Sequence, residues 1–131
     1  YDPFPTNITQ IYSMDLPADA NGIFADSQYS YIADGVAGLI IVDHSDILNP
    51  VQISSLDLTG SALSVWVEGD YAYVAADRGG LKVIDVSVPD SAHFVAAYNT
   101  PYAYGLWADA DYIYLCDRDE GLMIFANMVS Q

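Results

Sequence analysis

The feature that most constrains this chain is that it repeats itself. Tyr29-Ser-Tyr31-Ile-Ala, Tyr71-Ala-Tyr73-Val-Ala and Tyr112-Ile-Tyr114-Leu-Cys recur at offsets of 42 and then 41 residues. Seven residues after the second tyrosine of each comes Gly-Leu, as Gly38-Leu39, Gly80-Leu81 and Gly121-Leu122, and each pair opens an apolar run: Ile40-Ile41-Val42, Lys82-Val83-Ile84 and Met123-Ile124-Phe125. Upstream, Ile23-Phe24-Ala25, Val65-Trp66-Val67 and Leu106-Trp107-Ala108 put a large aromatic at the same position each time. A unit of this size cannot bury its own apolar face, so such repeats must stack on one another.

Each unit reads as four short strands, because runs of β-branched and aromatic residues are punctuated by Asp, Gly, Asn and Pro, and helix periodicity is absent. The first strand lies near Ile23, Val65 or Leu106, the second carries Tyr-x-Tyr, the third follows Gly-Leu, and the last includes Ile53 to Leu58 or Phe94 to Tyr98. Ile8 to Leu16 supplies an equivalent of that last strand ahead of the first unit. The units therefore run over about 8–50, 51–92 and 93–131, each beginning with the last-type strand, within a single domain spanning 1–131. Ile23 and Ala25 point one way with Phe24 opposite, and Leu39 and Ile41 oppose Ile40 and Val42, so both faces of the sheets are apolar. A period near 42 residues with sheets covered on both faces is that of β-propeller blades, predicted here as three four-stranded antiparallel blades in an all-β fold. Between the second and third strands lie Asp34-Gly35-Val36-Ala37-Gly38, Asp77-Arg78-Gly79-Gly80 and Asp117-Arg118-Asp119-Glu120-Gly121. These are hairpin turns, where glycine takes positive φ without steric penalty.

Composition removes several classes of function. The 131 residues are 53% hydrophobic and carry a net charge of −15, with 3 basic residues against 18 acids, 16 of them Asp. Disorder requires low hydrophobicity beside high charge, and a spanning helix requires about 18 consecutive apolar residues, so neither fits this chain. Such a surface repels phosphate backbones and anionic lipid, which excludes nucleic acid as a partner and argues against membrane insertion. The single cysteine, Cys116, has no Cys or His at metal-like spacing and reads as a small buried hydrophobe. The chain begins at Tyr1 with neither Met nor an apolar leader, which fits a mature exported protein or an excised domain. Scarce Lys and Glu, abundant Tyr, Asp, Ser and Gly, and a glycosylation sequon at Asn7-Ile8-Thr9 point to an extracellular or cell-surface setting. A high-salt habitat is the other explanation of the charge, because salt screens self-repulsion.

The repeat resembles the LVIVD-repeat family of bacterial and archaeal surface proteins, whose blade motif runs Tyr-Val-Ala-Asp, Gly-Leu, then an apolar pair before Asp-Val-Ser. The first unit has Tyr31-Ile-Ala-Asp34 and Gly38-Leu-Ile-Ile-Val-Asp43-His-Ser45, ending in Pro50; the second has Tyr73-Val-Ala-Ala and Gly80-Leu-Lys-Val-Ile-Asp85-Val-Ser87, with Pro89. The third keeps Tyr114-Leu-Cys-Asp117 and Gly121-Leu-Met-Ile-Phe, but has Ala126-Asn127 where Asp43 and Asp85 stand. The resemblance implies a β-propeller, usually noncatalytic, in exported proteins, with no catalytic residues to carry over.

Three units leave a problem, since propellers close with about four to eight blades and an open arc exposes two blade faces. The expected solution is strand exchange between chains: Ile8, Ile11, Met14 and Leu16 of one copy pair beside Leu122, Ile124, Ala126 and Met128 of another. Two chains would make a six-bladed ring, a non-closing version of the same contact would make a filament, and a fragment of a longer propeller is the third reading.

Among chemical candidates, Asp34, Asp117, Asp119 and Glu120 sit in blade turns and are the weak candidates for calcium, although no Asp-x-Asp-x-Asp-Gly loop is present and turn capping is the commoner use. Asp43 and Asp85 are expected to cap the backbone of Ser45 and Ser87. His44 and His93 occupy unrelated repeat positions with no nucleophile and orienting acid at recognisable spacing. Most tyrosines and tryptophans keep strict repeat register and are read as packing between blades; Tyr98, Tyr102 and Tyr104 cluster near Pro101 out of register, and mark a candidate ligand surface. The expected function is a noncatalytic, self-associating surface scaffold without cofactor. The competing expectation is a module binding a glycan, a peptide or calcium.

Overall fold

The structure, a computed structural model, describes residues 8–127, so the Asn7 sequon and Met128 lie outside the described residues. Three antiparallel sheets follow one another along the chain. The first is built from β1 (Gly22–Ala25), β2 (Tyr29–Ala33), β3 (Leu39–Asp43) and β4 (Val51–Leu56). The second comprises β5 (Ser64–Glu68), β6 (Tyr71–Ala75), β7 (Leu81–Asp85) and β8 (His93–Tyr98), with a short 3-10 turn over Pro89–Ser91 before β8. The third contains β9 (Ala103–Ala108), β10 (Tyr112–Asp117) and β11 (Gly121–Ala126), three strands among the described residues.

The sheets stack through their alternating faces. One face of the first sheet, carrying Tyr31, Ala33, Leu39 and Ile41, packs on Val65, Ala72, Val74 and Ile84 of the second. The opposite face of the second, with Tyr73, Leu81 and Val83, packs on Ala108 and Ile113 of the third. Each fully buried aliphatic side chain there contributes about 1.5–3 kcal/mol by leaving water. Paired backbone bonds stitch neighbouring sheets at one end, Gly35 with Ala62 and Asp77 with Ala103. The buried Tyr73 hydroxyl, which desolvation pushes above its usual pKa, donates to Asn127 Oδ1 at 2.8 Å and ties the end of β11 back to the second sheet.

Repeat register carries over into geometry. Phe24 and Trp66 meet edge-on with ring centres 4.9 Å apart, and Trp66 meets Trp107 at 4.9 Å, so the in-register aromatics form one column across three sheets. The hairpin glycines Gly38, Gly80 and Gly121 share φ of 82°, 76° and 76°. Asp43 and Asp85 accept the Ser45 and Ser87 backbone N–H at 2.8 and 2.9 Å. The Ser45 N–H holds the Asp43 carboxyl below the usual range, and the Ser87 hydroxyl and N–H do the same for Asp85.

Ile8 to Leu16, expected to pair only with another chain, forms no strand within this one, and its Met14 and Leu16 pack on the face of the first sheet. One expectation needs correcting. Cys116 is exposed, not buried. Its repeat equivalents, Ala33 and Ala75, are both fully buried under a following sheet, and no sheet among the described residues follows the third.

Candidate functional site

The two end sheets each turn one face away from the stack, and those faces are unlike. On the third sheet, pairing of Trp107 with Tyr114 and of Tyr114 with Ile124 sets these side chains on one side, together with Cys116 and Leu122. They are the repeat equivalents of Phe24, Tyr31, Ile41, Ala33 and Leu39 in the first sheet and of Trp66, Tyr73, Val83, Ala75 and Leu81 in the second. Those in the first two sheets lie between sheets; here Trp107 is 49% exposed, Leu122 66% and Ile124 56%. On the first sheet the outward face carries Ile23, Ile32, Ile40 and Val42, equivalent to the Val65, Val74 and Ile84 positions that receive an aromatic face within the stack.

Residues 8–16 lie on that first face. Met14 and Leu16 pack against Ile32, Ile40 and Val42, just as their repeat equivalents Leu56 and Leu58 pack at the junction of the first and second sheets. A groove of about 400 Å³ remains between it and the first sheet, lined by Ile11, Tyr12, Met14, Ile23, Ile32 and Val42 among others. Ile8 and Ile11 are exposed.

The edge of β11 bears a matching sign. A Cβ on Gly38 would collide with the Leu56 carbonyl, and one on Gly80 with the Tyr98 carbonyl, because a fourth strand passes beside each. A Cβ on Gly121 would meet nothing within 4 Å. The glycine that makes room for a fourth strand is present, and among the described residues the strand is not. Of the residues expected at an interface between chains, Leu122, Ile124 and Ala126 are therefore exposed on an open sheet, and Ile8, Ile11, Met14 and Leu16 lie on the other end.

The turn acids serve the backbone. Asp34, fully buried, accepts the Ala18 N–H at 3.0 Å, and Asp117 accepts those of Tyr102, Asp119 and Glu120 at 3.0, 2.8 and 2.9 Å. Asp119 and Glu120 are themselves exposed. No group of three or more His, Cys, Asp or Glu side chains that could hold a metal ion occurs among the described residues. Desolvation opposes ionisation of Asp117, but the N–H groups of Glu120, Tyr102 and Asp119 outweigh it and hold the carboxyl at about 2. The unfolded value is near 3.9, so the stabilisation by Asp117 is full above pH ~4 and is lost as pH falls towards about 2. Asp117→Asn should lower the melting temperature at pH 7 and flatten its fall between pH 4 and 2; identical acid melts for both proteins would contradict this role.

His44 bonds Ser30 Oγ at 2.8 Å and the Asp26 carbonyl at 2.9 Å, and His93 lies 3.8 Å from Asp85. The structure brings Tyr102 and Tyr104 together at one end of the third sheet, whereas Tyr98 packs edge-on against Phe125 at 4.7 Å. Sequence reasoning missed what joins them: Arg78 and Arg118, from neighbouring hairpins, both stack on Tyr102. The available signal was an Asp-Arg pair in two consecutive turns.

Three stacked antiparallel sheets with equivalent faces define a β-propeller-type repeat protein. The LVIVD repeat matches the chain three times, over residues 17–57, 59–100 and 102–125, and the chain belongs to that repeat family. Each match takes in one sheet, from its first strand towards its last. No curated protein matches the chain. No helix among the described residues is long and apolar enough to cross a membrane.

Proposed function

We propose that this is a noncatalytic, exported structural protein that assembles with copies of itself, residues 8–16 of one chain supplying the fourth strand of another chain's third sheet. One observation carries the reading: the open aromatic face of the third sheet and the aliphatic face of the first, which Met14 and Leu16 cover only in part, are repeat equivalents of two faces that already meet twice inside the chain. The register follows from the same equivalence. Leu39 stands opposite Leu56 and Leu81 opposite Tyr98, so Leu122 would stand opposite Met14 of the second copy. Trp107 and Tyr114 would then fill the groove on the first sheet. Two chains would close a six-sheet ring; the same contact repeated without closure would give a filament. No cofactor takes part. The acidic, lysine-poor composition and the Asn7 sequon support a place outside the cell.

The native mass by light scattering tests this. A dimer or larger particle that falls to single-chain mass when residues preceding Asp19 are deleted is the expected result. A wild-type monomer, or a particle unchanged by the deletion, would overturn the reading.

A further inference from the structure

A second surface, which does not rest on the assembly reading, adjoins the open face of the third sheet at Cys116. The chain has only three basic residues, and one of them, Lys82, is buried in β7. The other two converge. Asp77 exchanges two backbone bonds of 2.9 Å with Ala103, while the Arg118 N–H donates to the Tyr102 carbonyl at 2.9 Å, so neighbouring hairpins are anchored to the same stretch of chain. As a result the Arg78 guanidinium carbon lies 5.3 Å from the centre of the Tyr102 ring, and that of Arg118 lies 5.7 Å from Tyr102 and 5.6 Å from Tyr104.

Neither arginine has an ion pair among the described residues, although the chain carries 18 acids. The carboxylate at the site, Asp117, is already engaged by three backbone N–H groups. A guanidinium stacked on a ring keeps its in-plane N–H donors for another partner, and that fork matches a carboxylate. Beside it runs a groove of about 300 Å³ lined by Tyr104, Cys116, Asp117 and Arg118, with Tyr104 57% exposed.

We propose that this is a binding site for a carboxylate-bearing sugar of the hexuronic acid class. Its carboxylate is held by the Arg118 fork with Arg78 adding charge, and the ring lies on Tyr104. Two features select the class. The field of a −15 chain repels dense polyanions, so a ligand with one charge per ring is favoured over phosphates or sulfates. An acidic side chain on a peptide carries the carboxylate but no pyranose C–H face to lie on Tyr104.

The test is calorimetric titration with trigalacturonic acid, with maltotriose as the neutral control and trisaspartate peptide as the acidic one, at low salt. Saturable binding of trigalacturonate alone is expected, weakened about tenfold or more by Arg118→Gln, which is one decade in Kd. Arg78→Gln and Tyr104→Ala, each with an unchanged thermal melt, should weaken it too, and serve if Arg118→Gln does not fold. No saturable binding, equal binding of maltotriose, equal binding of the peptide, or indifference to all three substitutions would each overturn the assignment.

Discussion

Replacing Trp107 by glutamate is expected to leave the chain folded and to hold it at single-chain mass. Trp107 ends the aromatic column begun by Phe24 and Trp66, and in the isolated chain half of it meets water. A carboxylate there stays solvated and forfeits the contacts with Trp66 and Tyr114, each about 0.5–1.5 kcal/mol beyond area. Under the face of a second copy the same carboxylate would be buried without a partner, a penalty of about 3–5 kcal/mol that weakens association more than a hundredfold. Cys116 reports on the outcome, because its equivalents Ala33 and Ala75 are fully covered. Its thiol should react slowly with a disulfide reagent in the wild-type assembly and quickly in Trp107→Glu. An assembled mass and a thiol rate unchanged by the substitution would show that this face takes no part.

The second large effect separates two glycines that share a conformation. Gly38→Ala meets both a φ of 82° and the Leu56 carbonyl, so it should tear β4 from β3 and destabilise the chain by several kcal/mol. Gly121→Ala meets a φ of 76° and open space, which leaves the conformational strain alone, about 1–2 kcal/mol. In the assembly, however, its Cβ would meet the strand supplied by the other copy. Urea melts should therefore show a large loss for Gly38→Ala and a small one for Gly121→Ala, while light scattering shows Gly121→Ala as a monomer. Equal losses in the melts, or intact assembly of Gly121→Ala, would contradict a fourth strand docking at β11.

Much of the fold was legible because a repeat exposes register. Tyr-x-Tyr, Gly-Leu and the large aromatic located three strands in each sheet, and the positive φ of Gly38, Gly80 and Gly121 followed from their turns. What depended on a partner was not legible. Ile8 to Leu16 has the pattern of a strand, but a ladder belongs to a pair, and the described chain offers the segment a face instead. Cys116 was read as buried because a lone cysteine without ligand spacing behaves as a small hydrophobe; its exposure comes from where it stands in the stack. The meeting of Arg78 and Arg118 was hidden for a similar reason, since two hairpins 40 residues apart share Tyr102 only once the second and third sheets are packed. The turn acids were placed correctly as turn residues, yet only the fold reveals that Asp34 and Asp117 reach back to the incoming chain at Ala18 and Tyr102.

The difference between the two end faces sets the kind of order they can generate. One is aromatic and the other aliphatic, and within the chain each kind meets only the other. Like does not pair with like, so a two-fold dimer built on a single self-complementary patch is outside the repertoire of these surfaces. Any array they make has a direction, with a tryptophan face at one tip and an isoleucine face at the opposite tip. A strand of such chains tethered by either tip would lengthen only from the one left bare, which is polarity of growth written into a molecule whose repeats all point the same way.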